Sequence, residues 1–372
     1  MAPVRYHEGQ FPPRQLDWSR LISVIGPANA ALARYDGLMA AIPNAAVLLS
    51  PMTTQEAVLS SRIEGTQATM GEVLEYEASG APERVDPARR EDIEEILNYR
   101  RAMRHATREM EKLPLCNRLL KRAHETLLSG VRGHDRARGK FRTIQNYIGV
   151  VGRPMEEARF IPIAPDALES GMARWEKYLH DPADDALVQL AIVHAEFESW
   201  HPFLDGNGRI GRILIPLFLY DRKLLHAPMF YLSEYLEAHR QQYYDNLLAV
   251  SRDDDWTGWC RFFLEAIQKQ AAENEAKARM ILDLYQRRKD WITEATRSKH
   301  GVRALDWIFS QPTFRTTDFV ESSNIPKPTA YRILKVLQTK RVLRVIRRAS
   351  GGQPAILVYS ELLNIAEGRT VF

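Results

Sequence analysis

The residues His201-Pro202-Phe203-Leu204-Asp205-Gly206-Asn207-Gly208-Arg209-Ile210-Gly211-Arg212 gather a base, a carboxylate, a glycine-rich turn and two arginines in one short stretch. Each type has a use in phosphate chemistry. Glycines let a backbone approach a phosphate closely, and successive N–H groups form an anion nest. Arg209 and Arg212 stand three apart, so on a helix they share a face and can grip phosphate oxygens in bidentate fashion. Asp205 offers a hard oxygen suited to Mg²⁺, which travels with phosphates. His201 titrates near neutral pH and is a candidate general base. Asp-Gly-Asn-Gly alone would equally make a surface turn. Its company, in this order and between two helical patterns, points to a metal-assisted nucleotide site.

Those helical patterns must position the site. The run LVQLAIVHAEFESW before it reads as an amphipathic helix. From Arg209 onward, Ile210, Ile213, Leu214 and Leu217 fall on one face, so the Gly-Asn-Gly turn opens onto a helix N-terminus with unpaired N–H groups. Further helical patterns cover 91–112, 115–129, 165–179, 239–251 and 256–295. The first 45 residues, mixing Pro, Gly and short apolar clusters, read as an irregular arm. Residues 139–163 are rich in β-branched and aromatic types with a Gly-Arg-Pro break, and read as a β-hairpin from Phe141 to Val151 and Arg159 to Ile163.

The chain has 372 residues, a length that suggests two or three domains. Its composition is 45% hydrophobic and 26% charged, which excludes a disordered or collagen-like chain. Two cysteines, Cys116 and Cys260, exclude a disulfide framework and fit a reducing compartment. The N-terminal residues show no apolar signal core and no run suffices to span a membrane, so the expectation is a cytoplasmic protein without a membrane partner. The net charge of +4 hides an asymmetry: residues 301–360 carry 10 Lys and Arg against 3 Asp and Glu.

The segment His201–Arg212 matches in full the core motif of the Fic family, HPFx(D/E)GNGRxxR, and the chain is identified on it as a Fic-family member. The resemblance implies a mainly α fold: a helical core with a β-hairpin flap that aligns a target segment as an added strand, here at 139–163. It implies transfer of AMP from ATP to a Ser, Thr or Tyr hydroxyl of a target protein, possible self-modification included. His201 would deprotonate the hydroxyl and Asp205 would hold Mg²⁺. Gly206, Asn207 and Gly208 would form the phosphate cradle. Arg209, Gly211 and Arg212 would complete the triphosphate site, with Arg212 toward the γ-phosphate, and Phe203 would anchor the core. A related branch that phosphorylates its targets has Lys where this chain has Gly208, which disfavours it here. A few relatives use UTP, GTP or CDP-choline.

Three further features follow from the resemblance. Ser60-Ser61-Arg62-Ile63-Glu64-Gly65 matches the inhibitory motif (S/T)xxxE(G/N), whose Glu pairs with the second motif arginine, here Arg212. A carboxylate there occupies the γ-phosphate's place, and misaligned ATP loses much of the rate. In some relatives the same Glu positions water to remove AMP from the target. In Gln242–Leu247, Tyr244 and Leu247 are similar to residues lining the adenine pocket, although aromatics at this spacing also serve as core. Ser233–Arg240 occurs at a similar place in long Fic proteins.

The basic end reads as helix, helix-turn-helix and two-stranded wing, and resembles a winged helix. Thr329, Tyr331, Arg332 and Lys335 are expected to point outward, and Leu334 and Leu337 inward. Lys340, Arg341, Arg344, Arg347 and Arg348 cluster at the wing. Such a module suits DNA contact through residues 301–360, or equally protein docking or homodimer formation. The expected organisation is an N-terminal arm and helices with the inhibitory motif (1–110), a catalytic core (111–295) and a winged-helix domain (296–372). The alternative from another class is a DNA-binding regulator that uses the pocket to sense ATP or AMP.

Overall fold

A computed structural model of the chain describes residues 2–42, 44–80, 85–131, 136–150, 152–350 and 352–371. The protein is mainly helical, with two small sheets among the described residues. It divides into two compact units. The first comprises Met1–Asp36, Leu59–Gly65 and Leu97–Ala272, and the second Gly37–Val58, Thr66–Ile96 and Glu273–Phe372.

The first unit is built around the helices Ala186–Trp200 and Asn207–Asp221. Asp185 caps the former, accepting from the N–H groups of Leu187 and Val188 at 2.9 Å. Thirteen of its fifteen residues are buried, so it is a core helix apolar almost all round rather than the amphipathic helix expected. Two indoles lock it in place: Trp175 donates to the Val193 carbonyl at 2.9 Å and Trp259 to the Ala191 carbonyl at 2.7 Å. The second helix is almost as buried and carries the arginines of the motif.

Two expectations are corrected here. The N-terminal arm contains a long helix, Trp18–Ala41, with Pro27 inside it. The Gly-Pro pair at 26–27 argued against a helix. Leu21, Val24, Ala28, Ala31, Leu32 and Tyr35 nevertheless form a buried stripe at helical spacing, and that burial outweighs the ~3 kcal/mol cost of an internal proline. The expected hairpin shrinks to one antiparallel bridge, Ile148 to Phe160, with a 3₁₀ turn at Met155–Glu157 between them. Val151 lies outside the described residues. Strand Phe160–Ile161 instead pairs in parallel with Val4–Arg5 from the chain's start, Val4 opposite Phe160 and Arg5 opposite Ile161. Tyr6 and His7 anchor that start: Tyr6 donates to Glu196 at 2.6 Å, and His7 bonds Glu196 at 2.9 Å and Ser251 at 2.7 Å.

In the second unit the C-terminal elements follow the order helix Gly301–Ser310, strand Thr313–Arg315, helices Thr316–Ser322 and Lys327–Thr339, strands Arg344–Arg347 and Ile356–Val358. The strands form an antiparallel sheet with Ile356–Val358 in the centre. The strand Thr313–Arg315 had no signal beyond three residues. Trp307 packs edge-on against Phe314 and Phe319, at 4.9 and 5.1 Å. On helix Lys327–Thr339, Leu334 and Leu337 are buried while Tyr331, Arg332 and Lys335 are exposed. Thr329 is half-buried, and Arg332 bonds the Thr296 carbonyl at 2.8 Å.

Candidate active site

Helix Ala186–Trp200 ends because His201 adopts the left-handed conformation, φ 47° and ψ 58°. The chain then turns through Pro202–Asp205, and Gly206 at φ 76° starts helix Asn207–Asp221. A positive φ favours glycine at that N-cap.

The loop's carbonyls are held from outside. Arg142 is fully buried and donates from Nε to the His201 carbonyl at 2.9 Å, and from its terminal nitrogens to Trp200 and Ile144, each at 3.2 Å, and Ile163 at 2.5 Å. Its own N–H donates to the Pro202 carbonyl at 2.9 Å. Burial pulls its pKa down to about 10, so it stays charged at neutral pH. Asn146 donates to the His201 and Phe203 carbonyls at 3.3 and 3.1 Å. His124 stacks on Phe203 with ring centres 3.8 Å apart. Its Nδ1 accepts from the Gly139 N–H and its Nε2–H donates to the Asp205 carbonyl, both at 2.9 Å. Burial pushes its pKa down to about 4, which keeps it in that neutral tautomer. Neither Arg142 nor His124 stood out in the sequence. Each acts on residues some sixty or eighty positions away, and nothing local marks it.

The motif residues then take distinct places. Phe203 is buried, as expected of an anchor. Asn207 uses its side chain inside the loop, donating to the Phe203 carbonyl and accepting the Phe203 N–H at 2.8 Å, so its backbone N–H is what it presents at the helix start. Asp205 Oδ1 accepts from the Gly206 N–H at 2.6 Å and from Arg209 at 3.3 Å. Among the described residues no three His, Cys, Asp or Glu come together as a metal cage. A Mg²⁺ here would have Asp205 as its carboxylate and phosphate oxygens as its other ligands, which is the usual Mg²⁺ donor set.

Arg212 is buried and held by the last turn of helix Ser50–Ile63 and the residue after it. Its Nε donates to Ser60 Oγ at 2.8 Å, and one terminal nitrogen donates to the Ser60 carbonyl at 2.9 Å and to Glu64 Oε1 at 2.6 Å. Burial acts to raise the Glu64 pKa, and the charge and hydrogen bond of Arg212 outweigh it, so the carboxyl is lowered. Gly208 makes room: a Cβ there would stand 2.3 Å from Glu64 Oε1. Gly211, expected at the nucleotide, clears Glu198 in the same way, and its carbonyl accepts from His194 at 3.1 Å.

A cavity of about 480 Å³ opens beside these groups. Glu64, His201, Gly208 and Arg212 line one side, and Tyr244 and Leu247 another. Tyr243 is buried behind it, its hydroxyl donating to His194 Nε2 at 2.9 Å. Arg159 and Arg240 lie against the Tyr244 ring at 5.9 and 5.8 Å. Burial pushes the His201 pKa down to about 4, against the opposing pull of Glu64 and the Glu198 carbonyl. At neutral pH the imidazole is therefore neutral with a lone pair available, and its Nδ1 is buried without a partner.

The geometry agrees with what the chain is similar to. Residues 22–108 match the Fic/DOC family N-terminal model and residues 114–219 the Fic/DOC family model. A protein adenylyltransferase Fic from Drosophila grimshawi is 26% identical over 263 residues, 68% of this chain and 48% of the relative. A probable protein adenylyltransferase from Aquifex aeolicus is 33% identical over 85 residues, 23% of this chain and 27% of that protein. The chain thus spans at most about half the length of these curated relatives. A Fic family protein from Desulfovibrio desulfuricans shares the fold with a TM-score of 0.58 at 19% identity, over 94% of this chain and 98% of that one. Fic-1 from Caenorhabditis elegans does so with a TM-score of 0.51 at 19% identity, over 72% and 75%. With both of the family's models matched in order along the chain, the chain belongs to the Fic/DOC family.

Proposed function

We propose that this protein transfers AMP from ATP to a Ser, Thr or Tyr hydroxyl of a target protein, itself included, and that Glu64 is its brake. The observation that carries the reading is the Glu64–Arg212 ion pair at 2.6 Å, in the same cavity as neutral His201 and the Gly206–Gly208 helix start. His201 takes the hydroxyl proton as the oxygen attacks the α-phosphorus. A new P–O bond forms there and the bond to the leaving pyrophosphate breaks. The N–H groups of Asn207 and Gly208 and the side chains of Arg209 and Arg212 hold the phosphates. Asp205 would hold Mg²⁺, which neutralises phosphate charge when bound. Tyr244 and Leu247 supply apolar walls for the base. With Arg212 held by Ser60 and Glu64, the γ-phosphate loses its partner and the α-phosphate its alignment.

The test is transfer of label from α-³²P ATP to protein. Glu64→Gly is expected to label at least tenfold faster than wild type, and the gain should vanish when His201→Ala is added. No label from either Glu64 variant or wild type would sink the reading. Faster loss of AMP from a premodified target in wild type than in Glu64→Gly would support AMP removal instead.

A second role rests on the exposed side of helix Lys327–Thr339 and the exposed strand Arg344–Arg347. We read residues 296–372 as a winged-helix module that contacts DNA phosphates. Lys335→Ala with Arg344→Ala in the full chain should weaken a salt-dependent duplex shift and lower its salt slope by about 2. A change in oligomeric state without any duplex shift would favour the homodimer reading.

A further inference from the structure

The cavity holds a second carboxylate that the reaction above leaves idle. Glu198 stands one turn before His201, its side chain 11% exposed and its Oε1 buried without a hydrogen-bond partner. It fits because position 211 is glycine: a Cβ there would lie 2.1 Å from Glu198 Oε1. Gly208 gives Glu64 Oε1 the same clearance, and a Cβ at 208 would also stand 3.0 Å from an Arg212 nitrogen. Positions 208, 211 and 212 lie on one face of their helix. Two carboxylates therefore press against the face that carries a single guanidinium, and only Glu64 is bonded to it.

The rings nearest Glu198 supply no countercharge, and the cavity's Arg159 and Arg240 lie against Tyr244, Arg159 also pairing with Asp245. His194 lies 4.0 Å from Glu198, but its two nitrogens are engaged by Gly211 and Tyr243, and burial pushes its pKa down to about 3. Tyr243 and Tyr244 are both held above the ordinary phenol range, by burial first. His201 is neutral at the same pH. Burial pushes the Glu198 pKa up to about 8, Arg212 opposing and the Glu64 charge adding to it. While Glu64 is in place, Glu198 is mostly protonated at neutral pH. Removing Glu64 takes away one cause of that rise and leaves Arg212 without an anion.

We propose that Glu198 is a second counter-ion for Arg212, taking over the guanidinium when Glu64 withdraws and so competing with the terminal phosphate of a nucleoside triphosphate. The inference rests on the nucleotide reading given above. Its proton passes to solvent when Glu64 leaves and is recovered when the triphosphate arrives, so triphosphate binding without Glu64 takes up a proton. Affinity then falls as pH rises.

Calorimetric titration of the full-length protein with a non-hydrolysable ATP analogue and with AMP, at pH 7.5 to 9, tests this. The terminal phosphate is ionised throughout that range. For Glu64→Gly, analogue affinity should fall with pH, up to tenfold per unit. Glu64→Gly with Glu198→Gln should bind the analogue about tenfold tighter at pH 8.5 and lose the slope. AMP, lacking the terminal phosphate, should bind all variants alike. Titration of Glu64→Gly in two buffers of different ionisation enthalpy should register close to one proton taken up, a readout independent of how well the Gln variant folds. Equal analogue affinity and slope with and without Glu198, or no proton uptake, overturns the inference while the nucleotide site stands. AMP affinity shifting as much as the analogue's assigns Glu198 to pocket shape and also overturns it. Failure of every variant to bind the analogue brings down the nucleotide reading together with this one.

Discussion

Residues 201–206 and the described residues of 144–158 both lie beside the same cavity without α-helix or regular sheet, and they are held to different degrees. In the first, the carbonyls of His201, Pro202, Phe203 and Asp205 all accept from donors on buried Arg142, Asn207 and His124 and on half-buried Asn146. In the second, residues 144–146 share those bonds, through Arg142 to the Ile144 carbonyl and through the Asn146 side chain, while further along the bridge from Ile148 to Phe160 is the one β pairing among the described residues. Several of this segment's apolar side chains are exposed, Val150 by 70% and Ile144 by 60%. The difference fits the AMP-transfer proposal. Under it, groups that hold reacting atoms in register are preorganised in advance, because even small misplacement costs rate. A segment proposed to accept a target chain keeps its apolar surface open until that chain arrives.

This contrast can be broken from either side. The largest expected effect is on chemistry: His201→Ala in the Glu64→Gly background should cut AMP transfer by about 10²–10⁴-fold, the worth of a general base, with little change in melting temperature. Retained transfer would mean that another group takes the proton. Next comes Arg142→Ala, which strips side-chain donors from four carbonyls, two of them buried, and should cost about 3 kcal/mol in denaturant unfolding. A loss below about 1 kcal/mol would show that the loop is not held as described.

His124→Gln probes the same framework through pH. The folded pKa is depressed to about 4 from an ordinary 6.5, so the unfolded chain binds the extra proton between those values and stability falls as pH drops through that window. The variant should flatten the wild-type slope by about 1.4 kcal/mol per pH unit between pH 6 and 4.5, measured by urea unfolding. The smallest effect belongs to the open segment. Val150→Asp should change stability by less than about 0.5 kcal/mol yet weaken transfer to a protein target severalfold, seen as a raised KM with AMP binding unchanged. A marked loss of stability there would erase the contrast.

How much was legible beforehand follows the same division. Most helices from Pro87 onward were readable because apolar residues recur at helical spacing; the short helices Ser233–Ala238 and Ser360–Glu367 were not. The motif at 201–212 was readable because its chemistry is packed into contiguous positions. Helix Trp18–Ala41 was hidden by Gly26 and Pro27, where tertiary burial overrode local preference. The hairpin was overread: β-branched composition between 139 and 163 promised two strands, but the parallel partner of Phe160–Ile161 came from residues 4–5. A pairing that distant leaves no trace in either segment alone.

By itself the sequence determined the family, most of the helices after Pro87 and the identity of His201, Asp205, Arg209, Arg212 and Glu64 as candidate groups, because those depend on residue types at short spacing. Only the tertiary structure decided that Ser60 also holds Arg212, that Arg142 and His124 hold the loop, and that Glu198 places a buried Oε1 without a hydrogen bond against Gly211; for Glu64, Tyr244 and Leu247 it supplied the contacts that the resemblance had led one to expect. The reason is physical. A buried charge or polar group needs a partner in space, and which residue supplies it is settled by packing between segments far apart in the chain.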